Sequence, residues 1–479
     1  MFTNLLAART QMGVSFVFHI IFSVLGVGLP VLLCLAEGLA LLREDASLML
    51  LARQWTRAFA ILFAIGAVSG TIVEFEISLL WPTFAGQAGA IIGLPFATEG
   101  FAFFMEGIFL GLYLYGWGRL APKVHWLITI PIVLSGSSSA WFITSANSWM
   151  NSPTGFQLSH GTITNVNPFA AILNPSTPFE TVHMILACFV STGFGAAAVY
   201  AVGMLRGKRD DYHRKALLLC LAVGAVAIPL QIFTGDLNAR SVERLQPAKY
   251  AAMEGVMQSG YGLPLYIGGI PNPVTGQTLY AITIPQGESL LSHFALNTFT
   301  EGLDAFPPSV RPEPIRVHLA FDGMVGCAFF ILLVAVLFWL LFFRRKRRVP
   351  KYAWLLWGVT IAGVLGFLAV ELGWITTEEG RQPWIIYNVM RVSNAVTPDP
   401  WMSISFIVFS IIYLFLGTTL VVFLLRLARR EKTPVAWSEL MVVQGEEQGE
   451  GGEGGEGGER EEREKPSKTA APHDEEAVT

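Results

Sequence analysis

The stretch VHLAFDGMVGCAFFILLVAVLFWLLFF, residues 317–343, runs directly into the basic sequence RRKRR, residues 344–348. Asp322 is the only Asp, Glu, Lys or Arg within this stretch. A helix needs about 20 apolar residues to cross the hydrocarbon core of a bilayer, and Lys and Arg collect at the cytoplasmic ends of such helices. The stretch therefore predicts a transmembrane helix that ends in the cytoplasm.

The composition of the whole chain indicates many such helices. Of its 479 residues, 53% are hydrophobic and 14% are charged, whereas an ordinary soluble domain is about 25% charged. This balance excludes a soluble globular enzyme. Acidic residues concentrate after residue 430, where the tail carries 14 of the 36 Asp and Glu but only 5 of the 32 Lys and Arg. The Gly-Gly-Glu repeats of that tail predict disorder.

Nine apolar stretches are long enough to cross a membrane, which predicts an all-α, polytopic membrane protein. They are residues 15–42, 53–81, 94–117, 124–146, 181–205, 216–233, 317–343, 352–374 and 402–425. The expected organisation is helices one to six in 1–234, an outer loop in 235–316, helices seven to nine in 317–430 and a disordered acidic cytoplasmic tail in 431–479.

The charges of the connections predict the orientation. Every odd-numbered connection is basic, whereas the second and fourth contain no Lys or Arg. By the positive-inside rule, the N-terminus lies outside and the C-terminus lies in the cytoplasm. The long loop is then on the outer side, and connections of that length are usually functional or disordered.

Charged side chains inside apolar helices are costly and usually mark a functional site. The candidates are Glu74, Glu76, Glu99, Glu106, Asp322 and Glu371. The predicted orientation also brings His19, His183, Met324 and Glu371 to the outer half of the bundle. Imidazole nitrogen and thioether sulfur are the axial ligands of many low-spin haems, so these residues are candidate haem ligands. Each of them alone also fits helix packing or hydrogen bonding.

Several short motifs lie around these candidates. GRQPW, residues 380–384, begins nine residues after Glu371, and ANSWMNSP occupies residues 146–153. Five further motifs are TQ at 10–11, GLP at 93–95, GWGRL at 116–120, NP at 174–175 and MVGC at 324–327. Together, and in this order, they resemble subunit I of the cytochrome bd-type quinol oxidases. The resemblance covers the chain up to the ninth helix and leaves out only the tail.

The resemblance implies specific cofactor ligands. His183 and Met324 would ligate the low-spin haem b558. His19 and Glu371 would ligate two high-spin haems, haem b595 and haem d, with the assignment of each ligand left open. Trp374 and Arg381 would contact the bound cofactors.

The resemblance also implies a reaction, in which quinol is oxidised outside and O2 is reduced to water with cytoplasmic protons. Glu99, Glu106 and Glu74 would carry those protons, and a proton motive force would arise without pumping. Lys249, Glu254 and Asp236 would belong to the quinol-binding loop. The implied partners are a homologous subunit II and a possible small single-helix subunit, with no nucleic acid. The expected location is the plasma (inner) membrane of a bacterium or archaeon.

Three departures from the family pattern leave alternatives open. Asp322 stands where the family has Arg, residues 78–81 read SLLW instead of GxNW, and Glu99 and Glu106 are seven residues apart instead of eight. Seven residues are about two helical turns, so the two carboxylates still share a face. Without the Arg, a variant with a further b haem in place of haem d remains open.

Two other function classes also remain open at this point. A secondary transporter could use the membrane carboxylates as ion sites, although the sequence shows no inverted repeat. A haem-binding redox sensor could use the same ligands without turnover. An absorption spectrum and quinol-driven oxygen uptake would separate these classes from an oxidase.

Overall fold

The structure, a computed structural model, describes residues 3–429. Nine long apolar helices within this range confirm the predicted all-α membrane fold. They are α1 (Asn4–Arg43), α2 (Ala46–Leu80), α3 (Pro82–Gly116), α4 (Pro122–Asn151), α6 (Thr177–Leu205), α7 (Asp211–Leu245), α10 (Pro314–Arg344), α11 (Ala353–Gly380) and α13 (Met402–Arg429). Four short helices lie in the connections: α5 (Pro168–Ile172), α8 (Pro247–Met253), α9 (Gly287–His293) and α12 (Val392–Ala395).

The connections also contain ten short strands and two 3-10 helices. The strands are β1 (Gln157–Ser159), β2 (Thr162–Thr164), β3 (Gly260–Tyr261), β4 (Leu265–Ile267), β5 (Ile270–Asn272), β6 (Gln277–Leu279), β7 (Ile282–Ile284), β8 (Phe299–Thr300), β9 (Trp384–Ile386) and β10 (Met390–Arg391). The 3-10 helices are Leu303–Ala305 and Pro308–Val310. The strands form five antiparallel pairs: β1 with β2, β3 with β8, β4 with β7, β5 with β6 and β9 with β10.

Ion pairs define the two ends of the helical bundle. Arg9, near the start of α1, pairs with Glu379 at the end of α11 at 2.6 Å. Asp45, just after α1, pairs with Lys215 near the start of α7 at 2.5 Å. We call the first end the loop end, because α7 finishes and α10 begins there, and the second the tail end, because α13 finishes there.

Local sequence explains how the helices begin. Pro314 starts α10, where a missing N–H is harmless. The Glu313 carboxylate accepts hydrogen bonds from the Ile315 and Arg316 amides, which would otherwise lack partners in the first turn. Asp45 caps α2 in the same way.

The helices pack through a continuous apolar core that includes Phe59, Phe194 and Phe338, all fully buried. In this core α6 packs against both α7 and α11, and α1 packs against α2. This core occupies the middle and the tail end of the bundle, and a second apolar cluster that includes Trp81, Phe84 and Trp149 lies at the loop end.

Several helices extend beyond the apolar stretches that mark them in the sequence. In particular, α7 continues to Leu245, so residues 235 and 236 lie inside this helix and not at the start of a loop. Hydropathy marks only the membrane-embedded part of a helix, whereas the polar turns of α7 continue beyond it. The predicted disordered tail, residues 431–479, lies outside the described residues.

Candidate functional site

A cavity of about 490 Å³ opens among α1, α2, α3, α4, α6 and α11, within the size range of small-molecule and cofactor sites. Seven of the predicted site residues line it: His19, Glu74, Glu99, Glu106, Glu371, Trp374 and Arg381. They come from four helices and the GRQPW turn. The fold thus brings together the predicted ligands of the two high-spin haems, His19 and Glu371, and all the predicted proton carriers.

Two serine hydroxyls hold the ring of His19. The Ser69 hydroxyl oxygen lies 2.9 Å from Nδ1, and the Ser23 hydroxyl oxygen lies 3.0 Å from Nε2. A neutral imidazole that is anchored through one ring nitrogen can ligate a metal through the other.

Glu371 presents an unsatisfied carboxyl to the same cavity. Its Oε1 atom is buried and has no hydrogen-bond partner among the described residues, and the same holds for Nε1 of Trp374 one turn away. A buried polar atom without a partner costs about 1–3 kcal/mol. Trp374 is held by stacking on Phe16, with ring centroids 6.4 Å apart. This donor set fits a haem, which offers iron to the carboxylate and an apolar face to the rings.

Three carboxylates on α2 and α3 complete the cavity wall. Glu99 accepts a hydrogen bond from the Ser139 hydroxyl at 3.1 Å. Glu106 is buried two turns further along α3, and its Oε1 atom has no partner in the described part of the chain. Glu74 lies on the exposed side of α2. Glu76 instead pairs with Gln11 at 2.8 Å and does not line the cavity.

His183 and Met324 lie outside this cavity. His183 repeats the arrangement of His19: the Thr234 hydroxyl donates to the Gln231 carbonyl and accepts from Nδ1–H at 3.4 Å. Its Nε2 lone pair then faces the Gln231 amide nitrogen at 3.1 Å. The His183 ring packs on Gly235, where a Cβ atom would lie 3.1 Å from Cε1.

Met324 reaches from α10 to α11. Its sulfur packs on Gly373, where a Cβ atom would lie 3.1 Å away. A larger residue at 373 would displace the thioether. His183 and Met324 both belong to helices at the loop end, and both have donor atoms that suit a low-spin haem.

At the loop end, a buried polar network joins the GRQPW turn to α4 and α6. Arg381 donates to Glu378 at 2.5 Å and to Asn151 at 3.2 Å. Asn151 in turn donates to Glu180 at 3.0 Å. Lys249, only 3% exposed, faces this network. Burial lowers the pKa of Lys249 to about 8, against the opposing effect of the Glu180 carboxylate.

The other two predicted quinol residues, Glu254 and Asp236, belong to different elements of the loop end. Glu254 is buried directly after α8. Asp236 pairs with Arg240, one turn later in α7, at 3.0 Å. Asp322 accepts a hydrogen bond from the Gly268 amide and lies 3.4 Å from Nε2 of His318. It thereby attaches α10 to the loop between α7 and α10.

Sequence reasoning missed several buried polar residues. Glu180 and Glu378 belong to the Arg381 network, Glu288 is buried within the loop between α7 and α10, and Glu37 is buried near the tail end of α1. Two signals could have found some of them. Glu180 precedes His183 by three residues, and Glu378 lies just before GRQPW.

The fold and the cavity together are typical of a multi-pass membrane redox protein. Comparison with known families identifies the protein family. Residues 7–432 match the family model described as cytochrome bd terminal oxidase subunit I. The chain belongs to this family.

Individual relatives agree with the family assignment. A Bacillus subtilis protein, provisionally named a cytochrome bd menaquinol oxidase subunit I, is 34% identical over 89% of this chain and 97% of its own length. The cytochrome bd ubiquinol oxidase subunit 1 of the same organism is 30% identical over 88% of this chain and 93% of its own. The bd oxidase structure from Geobacillus thermodenitrificans superposes with a TM-score of 0.85 at 34% identity, covering 90% of this chain and 99% of that one.

Proposed function

We propose that this chain is the haem-carrying subunit of a quinol oxidase that oxidises quinol at the loop end and reduces O2 to water in the cavity. Membership of the cytochrome bd family supports a quinol:oxygen oxidoreductase with haem cofactors and a quinol substrate. The observation that carries the proposal is the cavity that joins His19 and Glu371 to Glu99 and Glu106.

The donor atoms suggest how haems would be held. His183 and Met324 would ligate haem b558, and His19 and Glu371 would ligate haem b595 and haem d. When bound, the haems supply electron transfer and O2 binding, which no side chain can provide. Trp374 and Arg381 would orient them, Trp374 by an N–H that has no hydrogen-bond partner among residues 3–429 and Arg381 by its positive charge.

The protein's own contribution to oxygen reduction is proton delivery. Glu99 and Glu106 line the cavity on one face of α3, and Ser139 holds Glu99 in place. A carboxyl that can take and release a proton beside the reacting oxygen serves as a general acid. Glu74 stands on the α2 wall of the same cavity and extends the set toward the exposed face of that helix.

Quinol oxidation at the loop end needs groups that bind the quinol oxygens and accept their protons. Lys249 lies in the first turn of α8, Glu254 directly follows this helix, and each is 3% exposed. The Lys249 ammonium would donate a hydrogen bond to a quinol oxygen, and the Glu254 carboxylate would accept a proton from the quinol. Asp236, through Arg240, would position α7 beside them.

The basic residues at the tail-end connections support a plasma-membrane orientation with the loop end outside. Quinol protons would then leave outside, while protons for water would enter from the cytoplasm. Charge would be separated without a pump. A partner subunit II would cover the α2 and α3 face, where Glu74 is exposed beside Phe75, because a carboxyl facing lipid is costly.

The test is Met324→Leu in the purified complex, with Met204→Leu as the matched control. Met204 is a buried methionine of the apolar core. We expect Met324→Leu to lose the low-spin b-haem spectrum and quinol-driven oxygen uptake, and Met204→Leu to keep both. If both survive in Met324→Leu, the ligand assignment is wrong.

One alternative concerns the haem complement. Asp322 replaces the Arg of the family pattern and is engaged with the loop at Gly268, which favours a different environment for the low-spin haem. A b-only variant would lack the red absorption band of haem d in the reduced spectrum. The transporter and sensor alternatives find no support, because the relatives are oxidases.

A further inference from the structure

Tyr250 connects a further buried carboxyl, that of Glu288, to the proposed quinol residue Glu254, which follows Tyr250 by one turn of α8. Glu288 begins α9 in the outer loop and is fully buried. The Tyr250 hydroxyl donates to its Oε1 atom at 2.7 Å. Its Oε2 atom is buried and has no hydrogen-bond partner within residues 3–429. One oxygen of this carboxyl is therefore free to bind a proton.

The Glu288 carboxyl acts electrostatically on Glu254. Burial raises the pKa of Glu254, and the Glu288, Asp322 and Glu243 carboxyls raise it further. Burial raises the pKa of Glu288 to about 7, with Glu243 adding to the rise and the Tyr250 hydroxyl opposing it. Because two neighbouring carboxylates resist being charged together, a proton that leaves one is favoured on the other.

A second pair continues from Glu288 toward the surface. The Ser292 hydroxyl donates to the Glu288 carbonyl at 2.8 Å, so it accepts from Nδ1–H of His293 at 2.7 Å. Nε2 of His293 lies 3.3 Å from Oε1 of Glu243. At this separation the two atoms can share a proton through a hydrogen bond.

Exposure increases along the series. Glu288 is 0% exposed, the Glu243 side chain 15% and the His293 side chain 38%. The other charged groups near Glu243 are Arg240 and Arg244. Arg240 is itself engaged by Asp236 and by the ring of Phe294, 3.7 Å from its guanidinium carbon.

We propose that Glu288 is the second proton acceptor of the quinol site, taking the proton from Glu254 and passing it to the Glu243–His293 pair at the outer surface. The inference rests on the proposed quinol site at Glu254. Oxidation of one quinol to quinone releases two electrons and two protons. The electrons leave toward the haem side of the molecule, and each proton leaves through these carboxyls in turn. Tyr250 is a positioning residue, since it holds Glu288 through Oε1 and touches no substrate.

The first experiment substitutes Glu288→Gln in the purified, haem-loaded complex. The control is Glu301→Gln, an exposed carboxyl of the same loop. We expect Glu288→Gln to keep the haem spectrum and the KM for quinol, and to lower kcat on the order of 10²-fold, the range of a lost general base. Glu301→Gln is expected to behave as wild type. An unchanged kcat in Glu288→Gln overturns the proposal.

The second experiment uses the pH profile, which a purely structural role would not move. Turnover is expected to rise with pH through about 7, as Glu288 loses its proton and becomes an acceptor. Tyr250→Phe removes the hydroxyl that favours the ionised carboxyl, so the rise should move to higher pH. Glu288→Asp should restore part of the turnover. A pH profile of Tyr250→Phe identical to that of the wild type contradicts the proposal even if Glu288→Gln fails to fold.

A third variant separates this inference from the proposed function. Glu254→Gln should abolish quinol oxidation while the chemically reduced haem spectrum stays intact. If it does so and Glu288→Gln is silent, only the relay is wrong. If Glu254→Gln itself oxidises quinol normally, the quinol site is wrong, and the relay fails with it.

Discussion

The molecule has two clusters of buried carboxyls, one in the cavity and one at the tail end. They differ in how many of their carboxyl oxygens have hydrogen-bond partners within the described residues. In the cavity, Glu371 and Glu106 each have an oxygen without a partner among the described residues. At the tail end, both oxygens of Glu37 are bonded, to the Tyr113 hydroxyl at 2.6 Å and to Nδ1 of His125 at 2.7 Å.

The tail-end cluster is closed in its other contacts as well. Nε2 of His125 faces the Tyr113 carbonyl at 2.9 Å, and its ring lies 4.1 Å from that of Trp117. A satisfied polar cluster fixes the packing of helices, here α1, α3 and α4. An unsatisfied one beside a cavity indicates a bound group from outside the chain. Under the proposed function, the same residue type therefore serves structure in one region and chemistry in the other.

The largest expected effect is that of Glu371→Gln. Because Glu371 is a proposed haem ligand, we expect the high-spin haem absorption and quinol-driven oxygen uptake to be lost. Glu37→Gln, the matched change in the satisfied cluster, should keep both. Spectra and oxygen uptake of the two purified variants check this. Loss of the haem in Glu37→Gln and its retention in Glu371→Gln would contradict the assignment of the two clusters.

Glu106→Gln should slow oxygen reduction without removing haem. A glutamine cannot release a proton, so turnover should fall on the order of 10²-fold. Stopped-flow oxygen reduction by the reduced enzyme measures this step apart from quinol oxidation. Wild-type rates in Glu106→Gln would show that the unsatisfied oxygen has no role in proton delivery.

His125→Leu should reduce stability and leave the spectrum unchanged. The substitution leaves the buried Glu37 carboxyl without its histidine partner. Removal of one partner of a buried ion pair lowers the free energy of unfolding by about 3 kcal/mol. Denaturant unfolding of the purified complex measures the loss. The double variant Glu37→Leu/His125→Leu should recover part of it, because no charge is then stranded. A stability equal to that of the wild type in His125→Leu would contradict the structural role.

The smallest expected effect is a pH dependence of quinol affinity. Lys249 is charged below its pKa of about 8 and neutral above it. If its ammonium holds the quinol oxygen, KM should rise several-fold as pH passes through about 8. Lys249→Arg should keep a low KM to higher pH, because arginine stays charged. A flat KM from pH 7 to pH 9 in the wild type would exclude Lys249 from quinol binding.

The architecture was accessible from the sequence because membrane helices are encoded by local composition. The stretch at 317–343 needs no tertiary information to be recognised. The cavity carboxylates were also predictable, since Glu99, Glu106 and Glu371 interrupt apolar sequence. Their assembly in one cavity required the fold.

What could not be predicted depends on contacts distant in sequence. Glu288 lies in a Gly- and Pro-rich segment without periodicity, and only the packing of α9 against α8 shows it to be buried. Glu37 lies six residues before the end of α1, where a carboxylate would ordinarily reach the membrane edge. His125 and Tyr113 hold it inside, from helices that the sequence places 88 and 76 residues away. The polar extension of α7 to Leu245 was equally invisible to hydropathy.

The central claim is that the cavity and the adjoining loop-end helices hold haem for oxygen reduction. The absorption spectrum of the purified, chemically reduced complex tests it most directly. We expect b-type haem bands, together with a red band if haem d is present. A purified complex that folds and shows no haem absorption would contradict the account.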